Sequence, residues 1–91
     1  PATAPPADAP EPEDERCSSY SVDEDLPVGI CDRGALIVEV QRALTATGFD
    51  VPDDGFFTSV TEDAVIQFQA REGLEQDGLV GPQTAAMLGI S

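Results

Sequence analysis

The sequence predicts an all-α fold, a small three-helix bundle that follows a disulfide-closed loop and a disordered leader rich in proline and acidic residues. Three observations support this fold class. Apolar residues recur at helical spacing, a short Asp-Gly signature occurs twice, and both cysteines precede the helical part. A chain of 91 residues suffices for one domain, and the small core that it can bury benefits from a covalent staple.

The N-terminal third divides into a leader, residues 1–16, and a disulfide loop, residues 17–32. The leader, rich in Pro, Ala and acidic residues, buries too little apolar surface to offset its ordering entropy, so we expect a disordered linker. Cys17 and Cys31 would close a ring of about fifteen residues, which stabilises a fold by about 3 kcal/mol. Free thiols are the alternative. A disulfide would indicate an oxidising, extracytoplasmic compartment.

The first helix is predicted from a single apolar stripe. Ile37, Val40 and Leu44 recur at i, i+3 and i+7. Gly48 follows the last apolar residue and is typical of a helix stop. This pattern predicts an amphipathic helix of about twelve residues with one buried face.

The second and third helices are predicted mainly from their ends. Either Thr58 or Ser59 can cap the second helix, and Ser59 with Glu62 fits the S-x-x-E capping box. Gly73 is suited to its C-cap. The third helix is the segment QTAAMLGI, which follows a Gly-Pro pair in the cap and first-turn positions, where proline is tolerated.

A doubled signature links these helices. The segments DGFFTSVT, from Asp54, and DGLVGPQT, from Asp77, share an Asp-Gly pair, two apolar residues and a threonine at the same spacing. In each copy the Asp-Gly pair predicts a tight turn, and Phe57 or Val80 would anchor that turn in the core. We interpret the repeat as architectural.

The composition excludes several classes of function. The net charge is −14, and all the basic residues are arginines, which argues against nucleic acid and anionic membranes as partners. No apolar run approaches the ~20 residues of a membrane span. Without histidine there is no base to activate a nucleophile and no plausible metal set, so we expect no catalysis and no cofactor. The acidic neighbours Asp53–Asp54 and Glu62–Asp63 have structural explanations in a turn and a first helical turn.

Residues at fixed spacings link the three helical parts. They are Gly34, Ile37, Val40, Gln41, Leu44 and Gly48, then Asp54, Gly55, Phe57, Thr61, Ala64, Val65, Phe68 and Gln69, then Gly73, Leu74, Asp77, Gly78, Val80, Gly81, Thr84 and Leu88. This pattern resembles the type-1 peptidoglycan-binding domain family. The resemblance covers residues 33–90, and we expect residues 33–91 to form one domain. One departure is Thr58, which stands where the family usually has glycine.

The resemblance implies a non-catalytic module that binds peptidoglycan or a related cell-wall polymer and anchors or targets an attached envelope domain. We expect this module to be monomeric. It also implies an extracytoplasmic location, in a bacterial envelope or secreted. A protein-interaction module of the same fold, which recognises an envelope protein, is the alternative. The charge favours this alternative, because wall polymers are largely anionic and would repel an acidic module. A hydrolase fragment is the weakest reading.

The candidate ligand contacts are polar side chains and one apolar platform. Phe56 would be exposed if Phe57 points inward; otherwise it packs against the helix start. The arginines could meet peptide carboxylates or be simply solvated, and the glutamine could instead hold nearby backbone. The predicted set is Arg42, Asp54, Phe56, Gln69 and Arg71.

Two β-branched residues, Val38 and Ile66, fall opposite the buried stripes of their helices. Either the disulfide loop covers one of them, through Leu26, Val28 or Ile30, or they mark a surface for a partner. In both cases we expect the helical core to lie outside the loop, so that residues 33–91 fold without it.

Overall fold

The computed structural model describes residue 12 and residues 14–90; the predicted leader falls mostly on residues 1–11 and 13, outside the described part. The described chain forms two short strands, β1 (Ser21–Val22) and β2 (Asp32–Arg33), and three helices, α1 (Ala35–Ala46), α2 (Ser59–Glu72) and α3 (Pro82–Leu88). The three predicted helices are confirmed, and α1 contacts both α2 and α3. Within the described residues no helix has the length and apolarity needed to cross a membrane.

Most helix ends follow the predicted signals. α1 has the expected twelve residues, and its stripe of Ile37, Val40 and Leu44 is fully buried. Gly73 ends α2 in the left-handed conformation, with φ 74°, that glycine adopts without a steric penalty. Pro82 is the first residue of α3 and follows the N-cap Gly81. The exceptions are the start of α2 and the end of α3, which lies at Leu88, two residues before the end of the predicted segment.

The start of α2 is capped by a residue from outside the helix. Thr58 occupies the N-cap position, but its side chain makes no capping hydrogen bond. Instead, Oδ2 of Asp14 accepts hydrogen bonds from the backbone N–H and the hydroxyl of Ser59, both at 2.8 Å. Arg16 forms an ion pair with Glu62, the residue that the capping box would have used. The predictions of a Thr58 cap and a Ser59–Glu62 box are therefore wrong, because the chain ahead of the disulfide supplies both partners.

The pH dependence of this cap provides a test. The N–H of Ser59, and then that of Arg16, hold the pKa of Asp14 below its ordinary value of 3.8. A carboxyl with a lowered folded-state pKa stabilises the fold above its unfolded pKa, and that contribution is lost as pH falls through the folded pKa. Asp14→Ala should lower the melting temperature at pH 7, and the difference from wild type should shrink below about pH 4. Thermal melts followed by circular dichroism measure it, with the exposed Asp25→Ala as the control; a difference that does not change with pH would contradict the cap.

The disulfide loop contributes to the hydrophobic core. Val28 is 1% exposed and belongs to the same buried cluster as the apolar residues of the helices. It pairs with Val80, the plug of the second turn, through two backbone hydrogen bonds of 3.1 and 2.8 Å. Leu26 and Ile30 pack against this cluster. The expectation that the core lies outside the loop is therefore wrong, since a loop residue fills part of it.

The same segment also holds the plug of the first turn. The N–H of Cys31 donates to the carbonyl of Phe57 at 2.8 Å, and the N–H of Phe57 donates to the carbonyl of Asp32 at 2.9 Å. Gly34 N–H then donates to the carbonyl of Gly55 at 2.9 Å. Residues 28–34 thus run along both Asp-Gly turns and satisfy backbone groups that those turns leave unpaired.

The predicted disulfide joins Cys17 to Cys31, with their Cα atoms 5.4 Å apart. The strands β1 and β2 pair in parallel next to this disulfide, with Ser21 opposite Asp32. These two-residue strands are absent from the sequence-based prediction, because a strand so short carries no readable periodicity.

Val38 and Ile66 are the two β-branched residues that the sequence placed opposite the buried stripes of their helices. Val38 is buried within the chain, which excludes it as a partner surface, while Ile66 is half-buried.

Candidate functional site

The first Asp-Gly turn is held by a buried glutamine of α1. Gln41 is fully buried, and its Nε2 donates to Asp54 Oδ1 at 3.1 Å, to the carbonyl of Phe56 at 3.0 Å and to the hydroxyl of Thr61 at 3.2 Å. Its Oε1 accepts from the N–H of Gly55 at 2.8 Å. We call this arrangement of one buried glutamine around one Asp-Gly turn a glutamine clamp.

The second turn repeats the clamp with a glutamine of α2. Nε2 of Gln69 donates to Asp77 Oδ1 at 3.0 Å, to the carbonyl of Leu79 at 2.9 Å and to the hydroxyl of Thr84 at 3.1 Å. Its Oε1 accepts from the N–H of Gly78 at 3.0 Å. The N–H of Leu79, and then the Gln69 amide, hold the pKa of Asp77 below its ordinary value, so this carboxylate stays charged in the clamp.

The two clamps explain why the signature occurs twice. Aspartate, glycine and threonine recur because each supplies a partner for one amide group, which must be fully satisfied when buried. The architectural interpretation therefore agrees with the contacts.

Two candidate ligand contacts, Asp54 and Gln69, are engaged in these internal bonds; Gln69 is only 1% exposed. The side chain of Gln69 therefore holds nearby backbone, which was the alternative interpretation of this residue.

Phe56 is covered, not exposed. It is 4% exposed, and the ring of Tyr20 from the disulfide loop meets it edge-on, with centroids 5.2 Å apart. The prediction of an exposed apolar platform at Phe56 is wrong for this structure. Helical and strand periodicity could not reveal this, because the covering ring comes from a distant segment of the chain.

The arginines Arg71 and Arg42 remain at the surface, each with local partners. The guanidinium of Arg71 lies 5.0 Å from the ring centre of Phe49, and its Nη1 donates to the carbonyl of Thr47 at the end of α1, at 3.0 Å. Arg42 pairs with Asp53 at 3.2 Å, where both side chains are about half exposed. Such an exposed pair contributes little to stability, so Arg42 stays available to other partners.

The described residues enclose a groove that none of the predicted contacts lines. It has a volume of about 450 Å³ and lies between residues 48–51, which follow α1, and the first two turns of α2. We call it the loop–α2 groove. Its apolar lining is Phe49, Val51, Val60 and Ala64, and its polar lining is Asp50, Ser59, Asp63 and Gln67.

A smaller groove lies beside the second clamp. It has a volume of about 310 Å³, and its apolar lining includes Pro27, Leu74, Leu79 and Pro82. Leu79 corresponds to Phe56 in the repeat but is 45% exposed, whereas the ring of Tyr20 meets Phe56, which is 4% exposed. The predicted contact Gln69 lines this smaller groove, whereas sequence reasoning missed the larger one. The exposed Val60, an apolar residue on a polar face of α2, was the signal that could have indicated the larger one.

Within the part of the chain that the structure describes, no three histidine, cysteine or acidic side chains lie close enough together to hold a metal ion. The disulfide occupies both cysteines.

Three short helices, joined by two glutamine-clamped Asp-Gly turns, define a small helical domain built on a repeated turn-helix unit. The family model described as "Putative peptidoglycan binding domain" matches residues 33–88, and the chain belongs to this family. Both glutamine clamps lie entirely within the matched residues.

Similar proteins include one curated relative and three solved structures. The relative, from Kitasatospora aureofaciens and described as "Uncharacterized protein in bpoA1 3'region", is 41% identical over an alignment of 76 residues that covers 79% of this chain and 62% of that protein. The Burkholderia AP3 phage endolysin has 41% identity and a TM-score of 0.68, over 69% of this chain and 24% of its own.

The other two structures differ in how much of their length is matched. A peptidoglycan-binding protein from Clostridioides difficile, solved with glutamine hydroxamate, has 36% identity and a TM-score of 0.68, over 69% of this chain and 40% of its own. The SleB N-terminal domain has 32% identity and a TM-score of 0.69, over 78% of this chain and 94% of its own. The chain thus spans less than two thirds of the curated relative, the endolysin and the C. difficile protein.

Proposed function

We propose that this chain is a non-catalytic cell-wall binding module that anchors or targets an attached envelope domain. The observation that carries the proposal is the family match over residues 33–88, which includes both glutamine clamps. The likeness to a phage endolysin and to a peptidoglycan-binding protein supports a wall polymer as the ligand. Because the chain corresponds to only part of those proteins, the attached domain belongs to the proposal as well.

The contacts of the polar side chains support a role without chemistry. The hydroxyl of Ser59 donates to Asp14, and the chain has no histidine that could act as its base. Asp54 accepts hydrogen bonds within the first clamp, and Glu62 is paired with Arg16. The neighbouring carboxylates that a glycoside hydrolase would need are thus partly engaged in holding the fold.

The loop–α2 groove is our candidate for the ligand site. It combines an apolar lining with polar groups at its edge, which is typical of sites for small, amphipathic ligands. Val60, at 55% exposure, gives the groove an apolar contact that a ligand can cover. Because the groove is shallow and the module small, we expect an affinity in the micromolar range or weaker.

Retention on insoluble peptidoglycan tests the function. The 91-residue chain should sediment with purified peptidoglycan without releasing soluble fragments, and retention should hold or improve as salt rises, because salt screens repulsion between the acidic module and the anionic wall. Val60→Ser should weaken retention about threefold through lost apolar burial, while Val22→Ser, on exposed β1, should not. Phe56 is unsuitable for this comparison, since its burial ties binding to folding.

The alternative function is recognition of an envelope protein, which the net charge of −14 favours. If the chain stays in the supernatant at every salt concentration while remaining folded by circular dichroism, wall binding fails and a protein partner becomes the better proposal. Release of soluble muropeptides during the assay would instead contradict the absence of catalysis.

A further inference from the structure

We infer that the loop–α2 groove receives an aliphatic chain that ends in a primary ammonium, such as the side chain of a diamino acid in a wall peptide. This inference rests on the proposed function and adds the chemical class of the group that is bound. It follows from the lining of the groove, from its charge and from the charge of the whole chain.

The apolar lining suits a stretch of methylene groups. Val51 and Ala64 are 7% and 5% exposed, so their side chains are packed into the fold and offer a firm apolar surface beneath the groove. Val60 is 55% exposed and stands at its edge. A methylene chain laid between these residues loses contact with water on both sides, which favours binding.

The charged lining suits a cation at the end of that chain. Asp50 and Asp63 are exposed carboxylates, and the described lining contains no basic side chain. Nε2 of Gln67 donates to Oδ2 of Asp63 at 2.7 Å, which orients the carboxylate and leaves its other oxygen as an acceptor. Arg71 stacks on the ring of Phe49, but it is paired with Glu72 and does not line the groove.

The net charge explains why the bound group should be an ammonium. A chain of net charge −14 is repelled by the carboxylates and phosphates of wall polymers, so specific contact requires the positive groups that such polymers carry. Amino sugars and diamino acids both supply a primary amine. The apolar lining favours the diamino acid, because its amine follows methylene groups, whereas a sugar ring presents hydroxyls that Val60 and Ala64 cannot satisfy.

Variants that replace one aspartate by asparagine separate the proposed ammonium contact from the general repulsion between the chain and the wall. Asp50→Asn and Asp63→Asn keep the shape of the side chain and remove one negative charge each, and Asp25→Asn, which is exposed and outside the groove lining, makes the same change as a control. On unmodified peptidoglycan, the groove variants should each lose about threefold in retention. The control should retain equally or better, because it reduces repulsion without removing a contact.

Acetylation of the wall amines tests the ligand side. Peptidoglycan treated with acetic anhydride should retain the wild-type chain about tenfold less than mock-treated material, because both carboxylates then face a neutral amide. The groove variants should lose much less on acetylation. If acetylation changes nothing and the groove variants behave like the control while the wild type still sediments, the wall-binding function stands and the ammonium contact is overturned.

A soluble probe gives a result even if sedimentation fails. In titrations followed by NMR, Nα-acetyl-lysine should shift the methyl resonances of Val60 and Ala64, and Nα,Nε-diacetyl-lysine should not. Glucosamine distinguishes the sugar amine and should shift them less than the lysine derivative. Equal shifts from both acetylated lysines, or none from either at tens of millimolar, would overturn the inference independently of the wall-binding assay.

Discussion

A chain that begins at Arg33 is expected to lose its cooperative unfolding transition, although it retains all three helical segments. The truncation removes Val28 from the core and leaves the plugs Phe57 and Val80 without their backbone partners. Burying Val28 contributes about 1.5–3 kcal/mol, and each of the backbone hydrogen bonds to Phe57 and Val80 contributes about 0.5–1.5 kcal/mol. Their combined loss approaches the whole stability of a small domain, which is about 5–15 kcal/mol.

Thermal and urea unfolding, followed by circular dichroism, measure this loss. A chain that begins at Pro12 is the matched control, because it keeps nearly all of the contacts described above and should melt cooperatively at a temperature close to that of the 91-residue chain. A cooperative melt of the shorter chain within a few degrees of the control would show that residues 33–91 fold alone, as the sequence suggested.

Gln69→Met is expected to destabilise the fold by about 3 kcal/mol or more, and Gln41→Met by a similar amount. Methionine fills nearly the same space, so the loss comes from hydrogen bonds and not from a cavity. Each substitution leaves a turn N–H, a carbonyl and a threonine hydroxyl without the amide that satisfied them. Because the two clamps have the same set of partners, the two losses should match.

Gln67→Met is the control for the clamp variants. It lies on the same helix as Gln69, but it is exposed and, among the described residues, bonds only to the exposed Asp63, so its effect should stay within about 0.5 kcal/mol. Urea unfolding gives the three free energies of unfolding directly. A loss at Gln69 no larger than at Gln67 would mean that water replaces the amide and that the repeat is not a stabilising device.

Much of the fold could be predicted from local signals. The stripe of Ile37, Val40 and Leu44 predicted α1 because a helix returns to the same face every three to four residues. Gly73 and Gly81–Pro82 predicted the end of α2 and the start of α3, since these residues fit backbone conformations that others avoid. The doubled signature also predicted two equivalent turns, without naming the glutamines that hold them.

The residues of the candidate site were harder to predict from local signals in the sequence. Arg42 and Arg71 are at the surface as expected, but Phe56 is buried and Asp54 and Gln69 serve the clamps. The groove that we propose as the site consists of residues from two separate segments, residues 48–51 and the start of α2. No spacing along the chain relates them, because their distance depends on how α1 and α2 pack.

The sequence by itself determined the three helices, the disulfide and the repeated turns, because each depends on residues that are near in the chain or unique in their chemistry. Tertiary structure alone decided which polar and aromatic residues face water. Asp14 caps α2, Tyr20 covers Phe56, and Val28 completes the core through contacts between residues far apart in sequence. Burial is a property of the whole packed chain, and a local pattern can indicate which face of a helix is apolar but not which segment will cover it.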